Sequence, residues 1–472
     1  MQTKKIHFIG ICGVAMSALA IAFHKKGYTV TGSDKGFYPP ISTHLKDVGI
    51  SFYPGWHVDK MTQNGNPDLI IVGNIASSQN PEWQYIQKHN IEYKSYPEAI
   101  AEFFCTEGNI VCAGTYGKTT TSTLLTWIIK QENIDMNYMF GGLAVNDMDS
   151  AYLSDGDTCC TLCILEGDEY KSSQWDSKPK FAHYSPTHLL LTAVQWDHAD
   201  VYPTEQSYID VFQTLVHNVA VDGSIIVHEN VLSILSFEDI QISQNRFLSY
   251  GVSDKADYCI KNLIQNIDGL EFDILYDKKT YHINSPLFGT YNATNITACF
   301  AMAHDLNIKP KHIIKAIQSF KGIKRRLEKR FDGNITIIDD IAHSPAKAIS
   351  TLKTLRDIYD GKIIAIFEPN TGNRQQESIP GYDHAFDSAD EVIIPRLTHI
   401  KIDETKEKPL IGKTLCDVIS KTHNNVHFMS DDEKLVEHII QTTKKGDVVV
   451  FLGSHGFRGM IEKLINSLSD KH

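Results

Sequence analysis

The amino-acid sequence predicts an α/β protein made of three domains in series. Short apolar runs closed by glycine or an acidic residue alternate with helical patterns, as in mostly parallel sheets covered on both faces. A glycine-lysine turn sits between a strand pattern and a helix pattern near residue 114. The 472 residues are long enough to bury two to four cores.

Lys5-Ile-His-Phe-Ile-Gly10 is an apolar run closed by glycine, and Ile11-Cys-Gly13 leads into a helical pattern through Leu19 to Lys26. Gly27-Tyr-Thr-Val30-Thr-Gly-Ser-Asp34 is a second strand ending on an acid. Two strands around a helix, with glycines at the first turn, make half of a nucleotide-binding unit, although the spacing is G-x-x-G rather than G-x-G-x-x-G. The helix start after that turn suits a diphosphate. Interrupted by Gly10 and Gly13 and ended by His24-Lys25-Lys26, the stretch reads as strand-turn-helix rather than a signal peptide. Asp68-Leu-Ile-Ile-Val-Gly73-Asn74 is a later strand, and the unit closes near Cys105.

Asn109-Ile-Val-Cys-Ala113 then feeds Gly114-Thr-Tyr-Gly-Lys118-Thr119-Thr120-Thr121, and the helix beyond it is apolar on one side. Thr161 to Leu165 reads as a buried strand ending at Glu166, and His188 to Ala193 as another ending before Asp197 and His198. A helix over 211–219 and a strand at Ser224-Ile-Ile-Val227 follow. From about 245 to 285 short strands succeed one another without helices, which predicts a small antiparallel edge or side sheet. A helix from Ala293 to His304 comes next, and the basic stretch Lys321-Gly-Ile-Lys-Arg325-Arg326 marks a boundary. Beyond it, strands end at Asp339-Asp340, Glu368-Pro369, Ile394 and Leu452-Gly-Ser-His-Gly456. The expected divisions are 1–105, Rossmann-like; 106–323, P-loop ATPase-like with a mostly parallel sheet; and 324–472, a second Rossmann-like α/β domain.

Composition narrows the class. Lys+Arg number 45 against 57 Asp+Glu, a net charge of −12 with no basic block, which argues against non-specific nucleic-acid binding. No run of about 18 apolar residues predicts a membrane span. The nine cysteines form no paired CxxC framework, and Cys159, Cys160 and Cys163 lie in or beside an apolar segment. That usage fits reduced thiols in a cytoplasmic protein.

The turn at Gly114 to Thr121 carries the strongest chemical signal. Backbone N–H groups and a helix N-terminus hold phosphate oxygens, Lys118 reaches the terminal phosphates, and a following threonine hydroxyl holds Mg²⁺. Ala113 stands near where the general pattern has a further glycine, so the loop is a variant. A nucleoside triphosphate brings a metal that wants hard oxygen ligands. Carboxylates at the ends of neighbouring parallel strands face the same crevice as that loop, which nominates Glu166 with His198, beside Thr119, as metal ligands. Glu169 ends the same strand; Asp168 and Asp200 read equally well as solvated acids. Zinc is disfavoured because the Cys/His spacing it uses is missing.

Gly114-Thr-Tyr-Gly-Lys-Thr-Thr-Thr, Glu166-Gly-Asp-Glu169, Asp197-His198, Asn292-Ala-Thr-Asn295, Arg325-Arg326-Leu-Glu and Asp339-Asp340-Ile-Ala-His343-Ser-Pro345 together resemble the ordered signature of the Mur ligases. These are ATP-dependent amide-forming enzymes of bacterial peptidoglycan synthesis, with successive domains for UDP-sugar, ATP and amino substrate. Within the family, Gly10-Ile-Cys-Gly13, Val30-Thr-Gly-Ser-Asp34, Tyr38-Pro-Pro-Ile-Ser-Thr43, Gly73-Asn74, Lys178-Pro-Lys-Phe-Ala-His-Tyr184 and Phe451-Leu-Gly-Ser-His-Gly-Phe457 are similar to the cell-wall-recycling members. Those join L-alanyl-γ-D-glutamyl-meso-diaminopimelate to UDP-N-acetylmuramate. Tyr116 stands where they usually have histidine, Ser344 where they usually have a second histidine, and Asn370 to Ser378 departs from their usual pattern.

The resemblance implies roles. ATP activates the muramoyl carboxylate as an acyl phosphate, with Lys118, Glu166, His198, Arg326 and His343 as the catalytic set. Gly114, Thr115, Gly117, Lys118, Thr119, Thr120, Asn292, Asn295, Arg326 and Asp340 are implied to bind ATP. Gly13, Ser33, Asp34, Asn74 and Ser77 are candidates for the UDP-sugar. Arg374 and Arg458, in loops after apparent strands, are candidates for the peptide carboxylates. Other readings are an L-alanine ligase with the same mechanism, and a non-catalytic sensor of UDP-sugar precursors. A NAD-dependent oxidoreductase leaves the Gly114–Thr121 loop unexplained.

Overall fold

The computed structural model describes residues 4–37, 41–74, 76–154, 161–198, 201–237, 246–398 and 409–469. Tyr38 to Pro40 of the recycling-type stretch, Cys159, Cys160 and Asp200 lie outside the described residues. The chain separates into two compact units, Met1–Leu263 with Glu271–Ser285 and Tyr291–Lys321, and Ile264–Leu270 with Pro286–Thr290 and Gly322–His472.

The first unit holds two sheets. The first sheet comprises β1 (Lys5–Ile9), β2 (Thr29–Asp34), β3 (Ser51–Pro54), β4 (Leu69–Val72) and β5 (Tyr93–Ser95), interleaved with α1 (Val14–Lys25), α2 (Ile41–Asp47), α3 (Val58–Thr62), α4 (Pro81–Lys88) and α5 (Tyr96–Phe103). Its order is β3-β2-β1-β4-β5, all parallel, so the topological switch lies between β1 and β4. The turn after β1 and Gly73-Asn74 after β4 therefore flank one crevice. Each apolar run became a strand because both faces are covered: Phe8 and Ile71 pack on one side and Ile9 and Ile70 on the other, all wholly buried.

The second sheet follows from β6 (Gly108–Ala113), α6 (Lys118–Gln131), β7 (Asn137–Met139), β8 (Ala151–Tyr152), β9 (Leu162–Gly167), β10 (His188–Leu191), α7 (Glu205–His217), β11 (Ser224–His228), β12 (Arg246–Gly251), β13 (Tyr258–Asn266), β14 (Gly269–Tyr276), β15 (Lys279–Ser285), α8 (Tyr291–Asp305) and α9 (Pro310–Ser319). Ten strands run in the order β15-β14-β13-β12-β11-β10-β6-β9-β7-β8. The strands at 245–285 are thus no separate side sheet. β12 pairs in parallel with β11 and with β13, and so carries the central sheet outward. Asp277 and Lys278, both left-handed at φ 47° and 61°, make the tight turn between β14 and β15. The helix expected at 211–219 starts earlier, at Glu205, because Thr204 and Ser207 form a capping box.

One apolar cluster runs through both sheets of this unit, from Phe8, Phe23 and Phe104 to Val111, Leu165 and Leu189. Phe23 meets Phe103 and Phe104 edge-on at 5.0 and 6.5 Å. The second unit carries β16 (Glu328–Asp332), β17 (Thr336–Asp340), β18 (Ile363–Glu368), β19 (Glu391–Pro395), β20 (Val426–Met429) and β21 (Val448–Gly453), with α10 (Pro345–Arg356), α11 (Gly412–Ile419), α12 (Asp432–Thr442) and α13 (Met460–Ser469). The order is β16-β17-β21-β18-β19-β20, parallel except for β16. Its two faces are packed separately, around Ile338, Leu352 and Phe367 and around Ile337, Ile366 and Leu464. No described helix is long and apolar enough to cross a membrane. The described cysteines, Cys163 among them, are free thiols.

Beneath the first sheet, α4 sends a buried Glu82 into a polar cluster with buried His7 and Ser33 and half-buried Tyr53. Its carboxylate accepts from Ser33 Oγ (2.5 Å), Tyr53 OH (2.7 Å) and His57 N (2.8 Å), with His7 Nε2 3.8 Å away. Burial pushes this carboxyl up, but hydrogen bonding and charge from His7 with the hydroxyls of Ser33 and Tyr53 outweigh it and hold it below the usual glutamate range. Removing the carboxylate strands those donors, so Glu82→Ala is expected to cost about 3 kcal/mol of unfolding free energy at neutral pH. A folded-state pKa below the unfolded one stabilises above about pH 4.3 and fades as pH falls through the folded value. In urea unfolding, the gap between parent and Glu82→Gln should therefore be widest near neutrality and narrow in acid; a gap that widens in acid contradicts the network.

Candidate active site

The strongest concentration of chemistry lies at the carboxyl ends of β6, β9 and β10. Gly114 is held at φ 131°, where a Cβ would meet Thr192 Oγ1 at 2.3 Å and Ala193 N at 2.7 Å. Gly117, at φ 83°, precedes α6 without a side-chain cap, and a Cβ there would meet Asn295 Oδ1 at 2.5 Å. Only glycine fits either position. The uncapped start of α6 leaves its first N–H groups for an anion. Thr120 sits half-buried in that first turn.

Lys118 folds back over this loop. Its Nζ donates to Gly114 O at 2.7 Å and Thr115 O at 3.2 Å, and lies 2.8 Å from Glu169 Oε2. Thr119 Oγ1 donates to Glu166 Oε1 at 2.9 Å, while Gly141 N donates to Glu166 Oε2 at 2.6 Å. Burial raises the Glu166 carboxyl above the ordinary glutamate value, against the hydrogen bonds from Gly141 and Thr119 and the charge of Lys118. A hydroxyl and a carboxylate side by side are hard donors of the kind that suit Mg²⁺, which usually takes one or two protein ligands with phosphate and water. Among the described residues no group of three or more His, Cys, Asp or Glu forms a metal cluster.

His198 stands differently from its expected pairing with Glu166. It lies several residues beyond β10 in a loop, left-handed at φ 56°, with Nε2 3.5 Å from Glu169 Oε1 and its ring edge-on to Tyr170 at 5.3 Å. Glu169, 1% exposed, is therefore the hub of the site: it faces Lys118, His198 and the Tyr208 hydroxyl, the last at 3.4 Å. Sequence reading placed Glu169 at the strand end without giving it a role. Asp168, with its side chain 36% exposed, is ion-paired to Lys180 and accepts from Tyr170 N, which keep its carboxyl low against the opposing effect of burial.

Thr115, within the loop, commits its side chain elsewhere. Its N–H donates to Ala193 O and its hydroxyl bonds to Gln195 O and Tyr208 OH, so it anchors the loop from behind. Asn292 and Asn295 are buried at the start of α8, where Asn295 Nδ2 donates to Asn292 Oδ1 at 3.0 Å, and Asn295 backs Gly117. They brace the loop's floor.

The crevice of the first sheet sorts its candidates. Gly13 caps α1, with its N–H on Gly10 O. Asp34 accepts from Cys12 N at 2.8 Å and from Lys35 N, holding the turn from beneath, and Ser33 is committed to Glu82. Asn74 and exposed Ser77 lie at the mouth, with Asn74 Nδ2 donating to Lys171 O.

In the second unit, Arg326 is exposed between Arg325 and Leu327, both left-handed at φ 61° and 48°. The Arg325 fork is committed to Gly453 O, Ser454 O, His455 O and Asp339. Asp340 accepts from Leu327 N (2.7 Å) and Ala342 N (2.8 Å), so it braces the Arg326 turn. Burial raises its carboxyl. His343 follows in the next loop, with Nδ1 2.7 Å from Ile341 O. Its imidazole is held below its usual value by burial first and then by the charges of Lys347, Arg325 and His455, despite the Ile341 carbonyl. Arg374 corrects an expectation: it is only 6% exposed and donates to Leu410 O and Thr398 O, which closes a loop rather than presenting a fork to a peptide. Arg458, left-handed at φ 53°, meets Asp432 at 2.8 Å and Glu368 at 3.3 Å, and Arg396 shares Asp432 at 3.2 Å. That pair gathers at the ends of β18, β19 and β21.

Lys118→Met should lower ATP turnover by about 10²–10³-fold. Gly117→Ala should abolish nucleotide binding through the clash with Asn295. Titration calorimetry with an ATP analogue and an ADP-release assay check both; parental affinity in Gly117→Ala contradicts the placement.

Family models described as the Mur ligase catalytic domain, Mur ligase middle domain and Mur ligase glutamate ligase domain match residues 5–107, 112–303 and 325–455. The chain is 31% identical over 479 residues to the UDP-N-acetylmuramate–L-alanyl-γ-D-glutamyl-meso-2,6-diaminoheptandioate ligase of Escherichia coli, covering 99% of each. It is 28% identical to the UDP-N-acetylmuramate–L-alanine ligase of Dictyoglomus turgidum, over 96% of this chain and 95% of the relative. A murein peptide ligase from Psychrobacter arcticus superposes with a TM-score of 0.66 at 26% identity, covering 99% of each chain.

Proposed function

The chain belongs to the Mur ligase family, and from that premise we propose that it joins L-alanyl-γ-D-glutamyl-meso-diaminopimelate to UDP-N-acetylmuramate in peptidoglycan recycling. It is an ATP-dependent, ADP-forming carbon–nitrogen ligase. The observation that supports the substrate most is the 31% identity to the tripeptide ligase of Escherichia coli along 99% of both chains. The site described above supports the chemistry. We assign the reaction to the cytoplasm, where nucleotide-linked precursors are made, and residues 1–105, 106–323 and 324–472 to the sugar nucleotide, ATP and the peptide.

A carboxylate is a poor electrophile, so the muramoyl carboxylate oxygen attacks the γ-phosphorus of ATP, giving an acyl phosphate and ADP. The tripeptide amine then adds to the acyl carbon, and the tetrahedral adduct collapses to amide and phosphate as the amine loses its proton. The protein contributes position and charge neutralisation. Lys118 offsets phosphate charge, and the arrival of phosphates draws its Nζ from Gly114 O while Glu169 keeps its direction. Thr119 and Glu166 would hold Mg²⁺, which supplies charge neutralisation on the phosphates. His198 is a further candidate ligand, oriented through Glu169. His343, whose imidazole burial holds below its usual value, is assigned to positioning the nucleotide or the incoming amine. Arg326 is assigned to the phosphates, and Arg458 with Arg396 to peptide carboxylates.

The L-alanine reading is favoured by the 28% identity to the Dictyoglomus turgidum ligase. ADP release with UDP-N-acetylmuramate, ATP and Mg²⁺ separates the two, with L-alanine, L-alanyl-D-glutamate or the tripeptide as amine and products weighed by mass spectrometry. The tripeptide adduct should form at least about 10²-fold faster than the alanine adduct. Faster alanine transfer overturns the substrate and leaves the ligase chemistry intact.

A further inference from the structure

The loop that follows the catalytic carboxylates does more than return the chain to β10. After Glu169 the backbone closes into a hairpin: Lys180 N donates to Tyr170 O at 3.0 Å, Lys171 bridges Pro179, and Ser172 N donates to Lys178 O at 2.8 Å. Lys180 pairs with Asp168 at its base, and Ser173 N donates to Asp176 O near its tip. These bonds stiffen a segment that has no helix and no long strand of its own.

The tip of this hairpin lies on the first sheet's domain. Trp175, 40% exposed, stacks on buried Trp83 of α4 at 4.7 Å and 13°, and Tyr93 meets both rings edge-on. Beside the stack, Asn74 Nδ2 donates to Lys171 O at 3.1 Å and Gln174 Nε2 donates to Asn74 O at 2.9 Å. Asn74 is the residue at the mouth of the β1/β4 crevice, so both its backbone and its side chain are gripped by the segment that begins at Glu166. The base of the same hairpin carries Tyr170, whose ring abuts His198.

We propose that the 170–180 hairpin is a positioning element, with Trp175 as its anchor, that fixes the sugar-nucleotide crevice at Asn74 relative to Glu166, Glu169 and His198. The inference rests on the assignment of UDP-N-acetylmuramate to that crevice. In-line attack on the γ-phosphorus needs the muramoyl carboxylate placed to within a fraction of an ångström, and the uridine end of the molecule is bound in a different domain from ATP. A rigid tie between the two domains sets that distance. Trp175 is a positioning residue and touches no reacting atom.

The test uses the full-length enzyme with UDP-N-acetylmuramate, ATP, Mg²⁺ and tripeptide. Trp175→Ala should lower kcat about tenfold or more and raise KM for UDP-N-acetylmuramate, with KM for ATP within about twofold of the parent. Trp175→Phe, which keeps a stacked ring, should restore kcat to within about threefold. If Trp175→Ala loses its cooperative thermal transition, Trp175→Leu keeps apolar cover without the stack and carries the same expectation. Parental kinetics in the alanine or leucine variant, or an equal rise in both KM values, overturns the hairpin's role. A parent that releases no ADP with UDP-N-acetylmuramate overturns the substrate reading and the hairpin with it, whereas an active parent with unaffected variants overturns the hairpin alone.

Discussion

A parallel sheet covered on both faces leaves its polar chemistry to the ends of its strands. Ile110 to Ala113 of β6, Cys163 to Leu165 of β9 and Leu189 to Leu191 of β10 are buried and apolar. The first groups able to meet a phosphate or a metal therefore appear where those strands stop, at Gly114, Glu166 and the loop after Leu191. The first sheet obeys the same constraint at Gly10 and Asn74, and the sheet of the second unit at Asp340, Glu368 and Gly453. Because parallel strands share a direction, all those ends lie on one edge of each sheet, and the crevice opens where the strand order reverses.

Burial decides which of the charged groups at those edges can act. Glu82 and Asp340 are buried carboxylates whose oxygens are filled by donors that stay in place: Ser33, Tyr53 and His57 N for one, Leu327 N and Ala342 N for the other. Such groups hold loops. Glu169 is buried just as closely and Glu166 partly, yet each has a side-chain partner that a ligand can share, Thr119 for Glu166 and Lys118 for Glu169. A low-dielectric site strengthens both kinds of contact. What separates a brace from a reactive centre is whether every donor is fixed within the fold or one sits on a side chain that can be shared with phosphate.

The same distinction explains the arginines. Four arginines near the second unit's strand ends, Arg325, Arg374, Arg396 and Arg458, look alike as letters in loops. Arg374 is consumed by two backbone carbonyls and Arg325 by three, so each locks a loop. Arg396 pairs instead with the Asp432 carboxylate and Arg458 with Asp432 and Glu368, so both are held by side chains rather than by backbone carbonyls. A guanidinium has five donors, and its availability depends on how many the neighbouring loops take up.

The alternation of apolar runs with helical patterns, the glycines at positions 114 and 117, and the order of acidic and basic motifs were legible because each is a local property of the chain. Period, φ-tolerance and residue type need no distant partner to be read. From them came the α/β class, the loop at Lys118, and the likeness to Mur ligases that whole-chain identity then established. Other features depended on contacts between residues far apart in sequence. Glu169 rather than Glu166 faces Lys118 and His198, 51 residues separating it from the lysine; Thr115 turns its hydroxyl to Tyr208, 93 residues away; Trp175 finds Trp83 across two sheets. The strands at 245–285 joined the central sheet because β12 found β11, a pairing that hydrophobic period alone does not encode. Sequence by itself determined which chemistry the chain carries and where it enters each fold; tertiary structure decided which side chains are held and which are offered, because that depends on the donors and acceptors that packing brings within 3 Å.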